Sequence, residues 1–390
     1  MYPRLSEHRL HTLALQFPAV LILGARQVGK TTLARATFPD LPYVDLEDPI
    51  TRALFAEDAR FQIESRARPR LVLDEAQAVP DVFAALRGLI DENRSARGRF
   101  ILLGSAQPSL VRQVSETLAG RVGILELDPL TAAELSGGDE PSSWQTAWLA
   151  GGFPDAVRAG PPEDSFREWW EAYLRTYMER DLPALGLGAD PLLLRRLVTM
   201  LAHSQGGLAN VSKLGSSLGV SAKTVSRYLD ILEQTFLLRR LQPYYRNVGK
   251  RLVKSPKMYL RDTGMVHHLL GIDSTDALSS HPIRGQSWES FVLEDIARRE
   301  RLTHPHSQLY FWRTAAGAEL DLVIERGGRL FGVEVKTARA ASPYLGRSLA
   351  KVATDLQTET ITIIDQAAGA EPLRPGIERR GFAEAFDWLP

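Results

Sequence analysis

The 390-residue sequence contains no cysteine, which excludes disulfide bonds and thiolate zinc sites and favours a reducing compartment. It also has no run close to the roughly 20 uninterrupted apolar residues that a membrane-spanning helix needs. The opening stretch MYPRLSEHRLHTLALQFP lacks the apolar centre of a secretion signal. We therefore expect a cytoplasmic protein that does not engage a membrane. A composition of 44% hydrophobic and 24% charged residues predicts two or three globular domains.

The chain has no excess of either charge, since 47 Lys and Arg balance 47 Asp and Glu. This balance conceals a basic segment between Arg195 and Arg261, where thirteen Lys and Arg stand against only Asp230 and Glu233. The segment therefore carries a formal charge of +11, and the rest of the chain carries −11. A basic middle between acidic ends predicts a surface for a polyanion, with a solvated charged surface as the alternative.

The hydropathy pattern divides the chain into four segments. Residues 1–135 alternate strand-like runs with helical stretches, as in a parallel α/β sheet. Residues 136–203 predict a helical lid or linker, and residues 204–272 contain most of the basic segment. A polar linker near 273–281 leads to a final α/β pattern over 282–390. The predicted fold class is therefore α/β, with a parallel sheet, a helical lid, a helix-turn-helix middle and a C-terminal α/β domain.

The strongest motif is GARQVGKT, residues 24–31, which matches the phosphate-binding pattern GxxxxGK[ST]. A short apolar strand precedes it and a helical stretch follows, which is the context that such a loop requires. The glycines let backbone N–H groups turn toward phosphates, and the helix N-terminus adds its positive dipole end. Lys30 is expected to contact the β- and γ-phosphates of ATP, and Thr31 to hold Mg²⁺. The predicted ATP-binding residues of this stretch are Gly24, Ala25, Arg26, Gln27, Val28, Gly29, Lys30, Thr31 and Thr32.

Two later strand ends supply further polar residues for this site. RLVLDEAQ, residues 70–77, ends its apolar run at Asp74 and Glu75. We expect Asp74 to hold Mg²⁺ through a water molecule and Glu75 to orient or activate the attacking water. The alternative is that these acids cap the next helix. RFILLGSAQ, residues 99–107, brings Ser105 to a strand end, which suits a residue that senses the γ-phosphate or a simple turn residue.

These stretches, together with LAGRVGILELDPLTAAEL and LAGGFPDAV, resemble AAA+ ATPases of a prokaryotic group often fused to a C-terminal domain of unknown function. The resemblance covers nearly the whole chain and implies ATP and Mg²⁺ as cofactors, with a homo-oligomer as one assembly. It makes Arg121, in LAGR, a candidate γ-phosphate or intersubunit arginine. A structural salt bridge is the alternative for Arg121. A second arginine-sensor motif is not evident in the predicted lid.

The basic segment contains SSLGVSAKTVSRYLDILEQ, residues 216–234, which has helix-turn-helix character. Gly219 suits the turn, and Ser221 can cap the second helix. Three side chains then lie on the outer face of that helix near its N-terminus, where recognition helices meet DNA. These candidate DNA contacts are Lys223, Thr224 and Arg227.

Two strand-like runs follow around a basic loop, as in a winged helix; they are FLLRRLQPYYR, residues 236–246, and RLVKSPKMYLR, residues 251–261. Basic side chains in such a loop suit contacts with phosphates, and the candidates are Arg246, Lys250, Arg251 and Lys254. Winged helices also dock proteins, so a protein partner is the alternative to DNA.

The last third of the chain contains GAELDLVIERGGRLFGVEVK, residues 317–336, which predicts two strands joined at a pair of glycines. A two-residue turn pairs Arg326 with Arg329 and places Asp321 opposite Glu334. Like charges directly opposite each other destabilise a sheet. The pair therefore needs an explanation, such as a bound cation.

The same register places Glu319 opposite Lys336 on the charged face and turns Leu320 and Leu322 to the other face. Glu319 is then a further metal ligand or the ion-pair partner of Lys336. A purely structural charged ladder is the alternative.

The predicted order α-β-β-β-α-β of residues 282–390 resembles the restriction-endonuclease-like nuclease fold, whose motif is a helix Glu, a strand Asp and Glu-x-Lys on the adjacent strand. The resemblance implies Glu289, Asp321 and Glu334 as Mg²⁺ ligands. It implies that Asp321, Glu334 and Lys336 act in catalysis, with Lys336 orienting the nucleophile or stabilising developing charge. An inactive nuclease-like scaffold is the alternative.

We therefore expect an ATPase that couples ATP hydrolysis, with Lys30 and Glu75 as its catalytic residues, to DNA engagement. Its C-terminal domain is expected to be an active or degenerate nuclease. One alternative is a nucleotide-dependent switch or regulator that binds protein partners and does not cleave. A third reading is transcriptional regulation, in which Lys223 or Arg227 reads a defined DNA sequence.

Overall fold

The computed structural model describes residues 2–67, 70–105, 108–139, 142–161, 164–184, 190–245, 253–340 and 342–384. These residues form two compact units. The first unit comprises Pro3–Leu130 with Gln234–Phe236, and the second comprises the rest of the described chain. Within the described ranges, no helix is long and apolar enough to cross a membrane.

The first unit contains an all-parallel sheet. Its strands are β1 (Ala19–Gly24), β2 (Tyr43–Asp45), β3 (Leu71–Asp74), β4 (Phe100–Ser105) and β5 (Val122–Glu126). Its helices are α1 (Ser6–Gln16), α2 (Lys30–Thr37), α3 (Pro49–Glu57), α4 (Ala59–Arg66), α5 (Asp81–Glu92) and α6 (Pro108–Thr117). Among the described residues, these five strands run in the order β2-β3-β4-β1-β5. The parallel α/β sheet predicted near the N-terminus is therefore confirmed.

Burial explains why β1 and β4 occupy the inner part of this sheet. Every residue of AVLILG in β1 and FILLGS in β4 is buried, and continuous apolar runs suit strands that are covered on both faces. Leu21 and Leu102 share one hydrophobic cluster with Phe55 of α3 and Phe83 of α5. A core of this size holds the strand ends in fixed positions.

Parallel strands bring their carboxyl ends to one edge of the sheet. Gly24 at the end of β1 lies beside Ser105 at the end of β4, and Asp74 ends β3, the neighbour of β4. Ligands of open parallel sheets bind outside this edge. The fold therefore gathers three of the predicted nucleotide-site residues from distant parts of the sequence.

The second unit begins with a helical region. Its first helices are α7 (Ala132–Ser136), α8 (Trp144–Ala150), α9 (Pro154–Ala159), α10 (Asp164–Thr176), α11 (Leu182–Ala184) and α12 (Pro191–His203), with a π-helical turn at Tyr177–Asp181. Helix α7 starts with a capping box in which Thr131 and Glu134 satisfy each other's backbone N–H groups. The predominantly helical character predicted for 136–203 agrees with this arrangement.

The rest of the second unit mixes helices and strands. The helices are α13 (Val211–Leu218), α14 (Ala222–Gln234), α15 (Thr263–Leu269), α16 (Thr275–Ser280), α17 (Arg284–Thr303) and α18 (Pro343–Leu356). The strands are β6 (Gly207–Leu208), β7 (Leu238–Pro243), β8 (Lys257–Leu260), β9 (Gln308–Arg313), β10 (Glu319–Arg326), β11 (Arg329–Val335), β12 (Thr360–Asp365), β13 (Ala370–Arg374) and β14 (Ile377–Gly381). Over the described ranges they form one mixed sheet, in the order β13-β14-β12-β11-β10-β9-β7-β8-β6.

Helices α13 and α14 form the helix-turn-helix pair expected from the sequence. Gly219 ends α13 with φ +71°, a left-handed conformation that glycine adopts without strain. The hydroxyl of Ser221 accepts a hydrogen bond from the backbone N–H of Thr224 at 3.1 Å and caps α14. The predicted apolar stripe of α14, including Val225 and Leu229, is buried.

One sheet joins the segments that were predicted to be separate domains. Strand β7 pairs with β8 in antiparallel fashion and also with β9 in parallel fashion, through Gln242 and Tyr310. The predicted boundary between 204–272 and 282–390 is therefore not a break between sheets. The predicted linker 273–281 contains α16 instead, because Ser274 caps a short helix there.

The predicted hairpin register is confirmed from Arg326 with Arg329 to Leu322 with Val333. The paired residues of β10 and β11 do not include the predicted pair of Asp321 with Glu334. The prediction that Leu320 and Leu322 share a face is wrong. The pairing of β10 with β9 shifts between Leu320 and Val323, and these two residues pack in the same hydrophobic cluster although they are three positions apart. A β-bulge interrupts strict alternation because it inserts an extra residue into one strand.

Candidate nucleotide site and acidic cluster

The loop between β1 and α2 has the backbone geometry of a phosphate cradle. Gly29 precedes α2 with φ +95°, and Gln27 has φ +62°. Successive N–H groups turned by such left-handed residues form concave sites for anions. Helix α2 begins directly at Lys30, so its N-terminal dipole faces the same space.

Gly24, the first residue of this loop motif, packs against the backbone of Leu127. A Cβ atom at Gly24 would lie 2.3 Å from the carbonyl oxygen of Leu127, so a side chain cannot be added there without displacing backbone. Of the other residues predicted to bind ATP, Ala25 and Val28 are buried, Arg26 pairs with Glu47 at 3.3 Å, and Thr32 is exposed on α2.

Lys30 is buried, and its ammonium donates to the carbonyl oxygens of Gly24 at 3.2 Å and Ala25 at 2.9 Å. Burial lowers the pKa of Lys30, while the charges of Glu75 and Asp74 act in the opposite direction. The ammonium therefore lies inside the loop, and a phosphate entering the cradle would offer it an anionic acceptor in place of two neutral carbonyls.

Thr31 and Asp74 supply oxygen atoms side by side. The hydroxyl of Thr31 donates to Oδ2 of Asp74 at 2.8 Å. The phenol of Tyr43, a residue that the sequence did not single out, donates to the same oxygen at 2.5 Å. A hydroxyl and a carboxylate are the hard oxygen donors that Mg²⁺ prefers. The side chains present at this edge therefore fit the Mg²⁺ that accompanies a nucleotide.

Glu75 follows Asp74 in a strained conformation. Its φ of +49° is left-handed, which costs a residue with a side chain on the order of 1 kcal/mol and is found most often at functional sites. Ser105 donates to Oε1 of Glu75 at 3.0 Å, and Gln77 donates to the other carboxylate oxygen. Glu75 thus lies between the ends of β3 and β4, held by two polar side chains.

Arg121 lies at the opposite edge of the sheet. It directly precedes β5, and its carbonyl oxygen accepts from the N–H of Ala19, the first residue of β1. Its guanidinium forms two 2.9 Å hydrogen bonds with Asp91, which hold the pKa of Asp91 at about 2. Arg121 therefore forms a salt bridge within the chain, as the alternative prediction for this residue stated. The γ-phosphate role does not suit it within one chain, and the intersubunit role stays a prediction.

Three of the candidate DNA contacts lie at the start of α14. Lys223 and Arg227 are exposed, and the half-buried Thr224 shares a 2.9 Å hydrogen bond between its hydroxyl and that of Ser221. Lys254 is exposed, and its carbonyl accepts from Tyr245. The other predicted contacts, Arg246, Lys250 and Arg251, lie outside the described residues.

Ion pairing reduces the charge that the basic segment presents to solvent. Among the described residues, at least five of its thirteen basic side chains pair with carboxylates. The pairs are Arg195 with Glu171, Arg239 and Arg261 with Glu294, Arg240 with Asp230 and Glu233, and Lys257 with Glu289 and Glu319. Since most of these acids lie outside the segment, the +11 counted along the chain overstates the positive charge at its surface.

The predicted nuclease-like residues come together, but around an ammonium. Lys257 of β8 places its Nζ atom 3.0 Å from Oε1 of Glu289, 2.6 Å from Oε1 of Glu319 and 3.7 Å from Oδ1 of Asp321. The side chain of Lys257 is only 5% exposed. Lysines are almost never buried unless they are paired. Lys257 was assigned to a wing strand, so sequence reasoning missed its contact with these acids.

Hydrogen bonds engage the same carboxylates from other directions. The phenol of Tyr259 donates to Oε1 of Glu289 at 2.6 Å, and the N–H of Val335 donates to Oδ2 of Asp321 at 2.9 Å. Burial, followed by the charges of Glu289 and Glu334, raises the pKa of Asp321 well above its usual range. The cluster is therefore crowded with negative charge and partly neutralised by donors of its own chain.

Glu334 and Lys336 form a separate pair at the edge of the cluster. Nζ of Lys336 donates to Oε1 of Glu334 at 2.5 Å, while Oε2 of Glu334 is buried without a hydrogen-bond partner. The predicted pairing of Lys336 with Glu319 is wrong, because Glu319 instead contacts Lys257 and Arg313. Burial raises the pKa of Glu334 although the ammonium of Lys336 acts against this shift.

The predicted metal ligands Glu289, Asp321 and Glu334 do not form a metal site. Within the part of the chain that the structure describes, no group of three or more His, Cys, Asp or Glu side chains is arranged to hold a metal ion. The ammonium of Lys257 gives the physical reason. Its Nζ atom lies 3.0 Å from Glu289 and 3.7 Å from Asp321, so a divalent ion held by the same oxygens would lie beside a like charge, which opposes binding.

Three family models match successive segments of the chain. Residues 16–136 match an AAA domain. Residues 141–276 match a domain of unknown function, DUF8612, and residues 284–374 match another, DUF4143. Nucleotide binding by the first unit therefore has support from sequence similarity, and the C-terminal match names no activity.

Curated relatives carry no functional description. The uncharacterized protein Rv2008c of Mycobacterium tuberculosis is 41% identical over 358 residues, which cover 91% of this chain and 78% of the relative. An uncharacterized protein of Haemophilus influenzae is 25% identical over 185 residues, which cover 44% of this chain and 46% of the relative. Among solved structures, the Walker-type ATPase PABY2304 of Pyrococcus abyssi aligns with a TM-score of 0.48 at 16% identity and covers 69% of this chain and 96% of its own.

Proposed function

This chain belongs to the family of the uncharacterized mycobacterial protein Rv2008c, and on that premise we propose that it is an ATPase that couples Mg²⁺-dependent ATP hydrolysis to engagement of DNA. The observation that carries the proposal is the set of polar side chains at one edge of the parallel sheet. Lys30, Thr31, Asp74, Glu75 and Ser105 meet there around a cradle of backbone N–H groups.

The residues of this edge divide the work of hydrolysis. The cradle and Lys30 bind the phosphates, and Thr31 and Asp74 hold the Mg²⁺, which supplies charge neutralisation to the phosphates when bound. Glu75 orients the attacking water and accepts its proton. Ser105 and Gln77 hold the carboxylate of Glu75 in one orientation, since preorganised groups need no rearrangement during the reaction.

DNA engagement is assigned to the first turns of α14. Lys223 and Arg227 are exposed there, and the chain order β6-α13-α14-β7-β8 supports a winged-helix interpretation of this region. Contacts of this kind go mainly to phosphates, so binding should weaken strongly with salt and depend little on sequence. The C-terminal α/β region supplies a degenerate nuclease-like scaffold in this proposal.

The test measures phosphate release and DNA binding by the full chain. Wild type should hydrolyse ATP only with Mg²⁺, and Lys30→Ala should abolish hydrolysis without unfolding the protein. Arg87→Ala, at an exposed position of α5 in the same unit, should retain wild-type rates. Hydrolysis that survives in Lys30→Ala would refute the assignment of the site.

The DNA assignment has its own readout. Single-stranded, duplex and branched DNA should be compared for binding and for stimulation of hydrolysis. Lys223→Ala should weaken binding severalfold and make it less sensitive to salt, whereas Lys351→Ala, exposed on α18, should not. A wild type that hydrolyses ATP but neither binds DNA nor responds to it would contradict this part alone.

The ion pairs of the basic segment favour one second candidate. Because Arg195, Arg239 and Arg240 are used internally, less positive charge remains for a polyanion than the sequence suggests. A nucleotide-dependent switch that binds a protein partner is consistent with this reduced charge. It predicts slow hydrolysis and a co-purified protein whose binding survives nuclease treatment.

A further inference from the structure

The acidic cluster of the second unit contains a cation from its own chain. We propose that Lys257 is the resident cation of this cluster: its ammonium pairs with Glu289, Glu319 and Asp321 in place of a divalent metal and ties β8 to α17 and β10. The cluster then acts as an internal ionic lock and does not support metal-dependent cleavage of DNA.

The stoichiometry of the contacts supports this assignment. An ammonium has three N–H donors, and Nζ of Lys257 faces one oxygen from each of three carboxylates, at 2.6, 3.0 and 3.7 Å. The carboxylates come from α17 and β10, whereas the ammonium comes from β8. One side chain therefore connects three elements that are far apart in the sequence.

The surroundings keep the ammonium in place. Met258, Tyr259 and Leu260, which follow Lys257 in β8, are all buried, and β8 pairs with both β7 and β6. The ring of Phe311 lies 5.6 Å from Nζ, within the range of a cation–π contact. The backbone of Lys257 is thus fixed by strand pairing on both sides.

Three carboxylates around the ammonium also have other partners within the chain. Oε1 of Glu289 accepts from both Lys257 and Tyr259, Oδ2 of Asp321 accepts from a backbone N–H, and Oε2 of Glu319 faces Arg313 at 3.4 Å. A divalent ion would have to displace these donors as well as the ammonium. These carboxylate oxygens are therefore engaged by donors of the same chain.

The test titrates Mn²⁺ into the nucleotide-free full chain and measures free Mn²⁺ by electron paramagnetic resonance. Wild type and Asp321→Asn should bind the same amount of Mn²⁺, because the cluster takes none. Lys257→Met, which keeps an unbranched side chain only one atom shorter and removes its charge, should bind one additional equivalent. Its thermal midpoint should fall in EDTA and recover with Mn²⁺.

Lys254→Met is the matched control, since it removes a lysine from an exposed position three residues earlier, and it should match wild type. Mn²⁺ bound by wild type and lost in Asp321→Asn would overturn the proposal. So would a Lys257→Met variant with an unchanged thermal midpoint and no added Mn²⁺.

If Lys257→Met does not fold, a triple variant that combines Lys257→Met with Glu319→Gln and Asp321→Asn tests whether the uncompensated negative charge is the cause. Recovery of the fold after these charges are removed supports charge neutralisation as the purpose of Lys257, and failure to recover counts against it. These outcomes are independent of ATP hydrolysis at Lys30.

Discussion

His267 lies in the interior of the second unit, between a carbonyl and a hydroxyl. Its Nδ1 atom is 2.9 Å from the carbonyl oxygen of Leu149, so Nδ1 carries the proton and donates. Its Nε2 atom is 2.7 Å from Oγ of Ser287, which also accepts from Nε1 of Trp148 at 3.0 Å. The neutral ring therefore accepts at Nε2, and a second proton there would deprive the Ser287 hydroxyl of its acceptor.

Burial lowers the pKa of His267 from 6.5 to about 4, and the sign of its effect on stability follows. Because the folded-state pKa lies below the unfolded-state pKa, the unfolded chain binds the proton first as the pH falls. The stability that the neutral ring contributes is fully present above pH 6.5 and is lost between about pH 6.5 and 4. At ~1.4 kcal/mol per pKa unit, the loss at pH 4 is about 3 kcal/mol.

Urea unfolding followed by tryptophan fluorescence at pH 7, 5 and 4 measures this loss. All seven tryptophans lie after residue 130, so the signal reports on the second unit. His267→Gln removes the titrating ring, and its free energy of unfolding should fall less than that of wild type between pH 7 and pH 4, by about 3 kcal/mol. His306→Gln, at an exposed position, should follow wild type. Equal losses in wild type and His267→Gln would refute the reasoning.

Two further variants address the first unit. Gly24→Ala places a Cβ atom 2.3 Å from the carbonyl oxygen of Leu127, so it should destabilise the fold by about 1–3 kcal/mol and weaken ATP binding in a fluorescent-nucleotide assay. Gly88→Ala is the control, because the added atom meets only ordinary contacts, and it should bind ATP as wild type does. Equal ATP affinities of the two variants would contradict the role of Gly24. Arg121→Ala should leave ATP affinity unchanged, because Arg121 lies at the opposite edge of the sheet from the phosphate loop. A loss of ATP affinity in a monomeric Arg121→Ala variant, measured by calorimetry, would contradict this placement of Arg121 away from the nucleotide.

The nucleotide site could be predicted because its signals are local. The pattern GxxxxGK[ST] between a strand and a helix is contiguous in the sequence, and strand ends such as Asp74 and Ser105 follow from apolar runs. The hairpin register also followed from a two-residue turn. In each case the signal is a contiguous pattern of residue types, although the fold brings the strand ends together from distant parts of the chain.

The positions of Arg121 and Lys257 could not be predicted in the same way. Arg121 follows a recognisable motif, but only the strand directions show that it lies at the opposite edge of the sheet from the loop. Lys257 belongs to a strand that was read as part of a wing, and its carboxylate partners lie 32 or more residues further along the chain. In the sequence, Lys257 directly precedes the apolar residues Met258, Tyr259 and Leu260, which suggests a lysine near the core. This pattern does not identify the carboxylates that pair with it.

The sequence by itself determined the all-parallel sheet, the phosphate loop and the hairpin register, because turn chemistry and side-chain periodicity act between residues that are close along the chain. The tertiary structure alone decided which charges meet. Part of the excess positive charge of the middle segment is used in ion pairs, and two of the predicted metal ligands, Glu289 and Asp321, are partners of Lys257. Ion pairing depends on distances of a few ångströms in space, and composition contains no information about those distances.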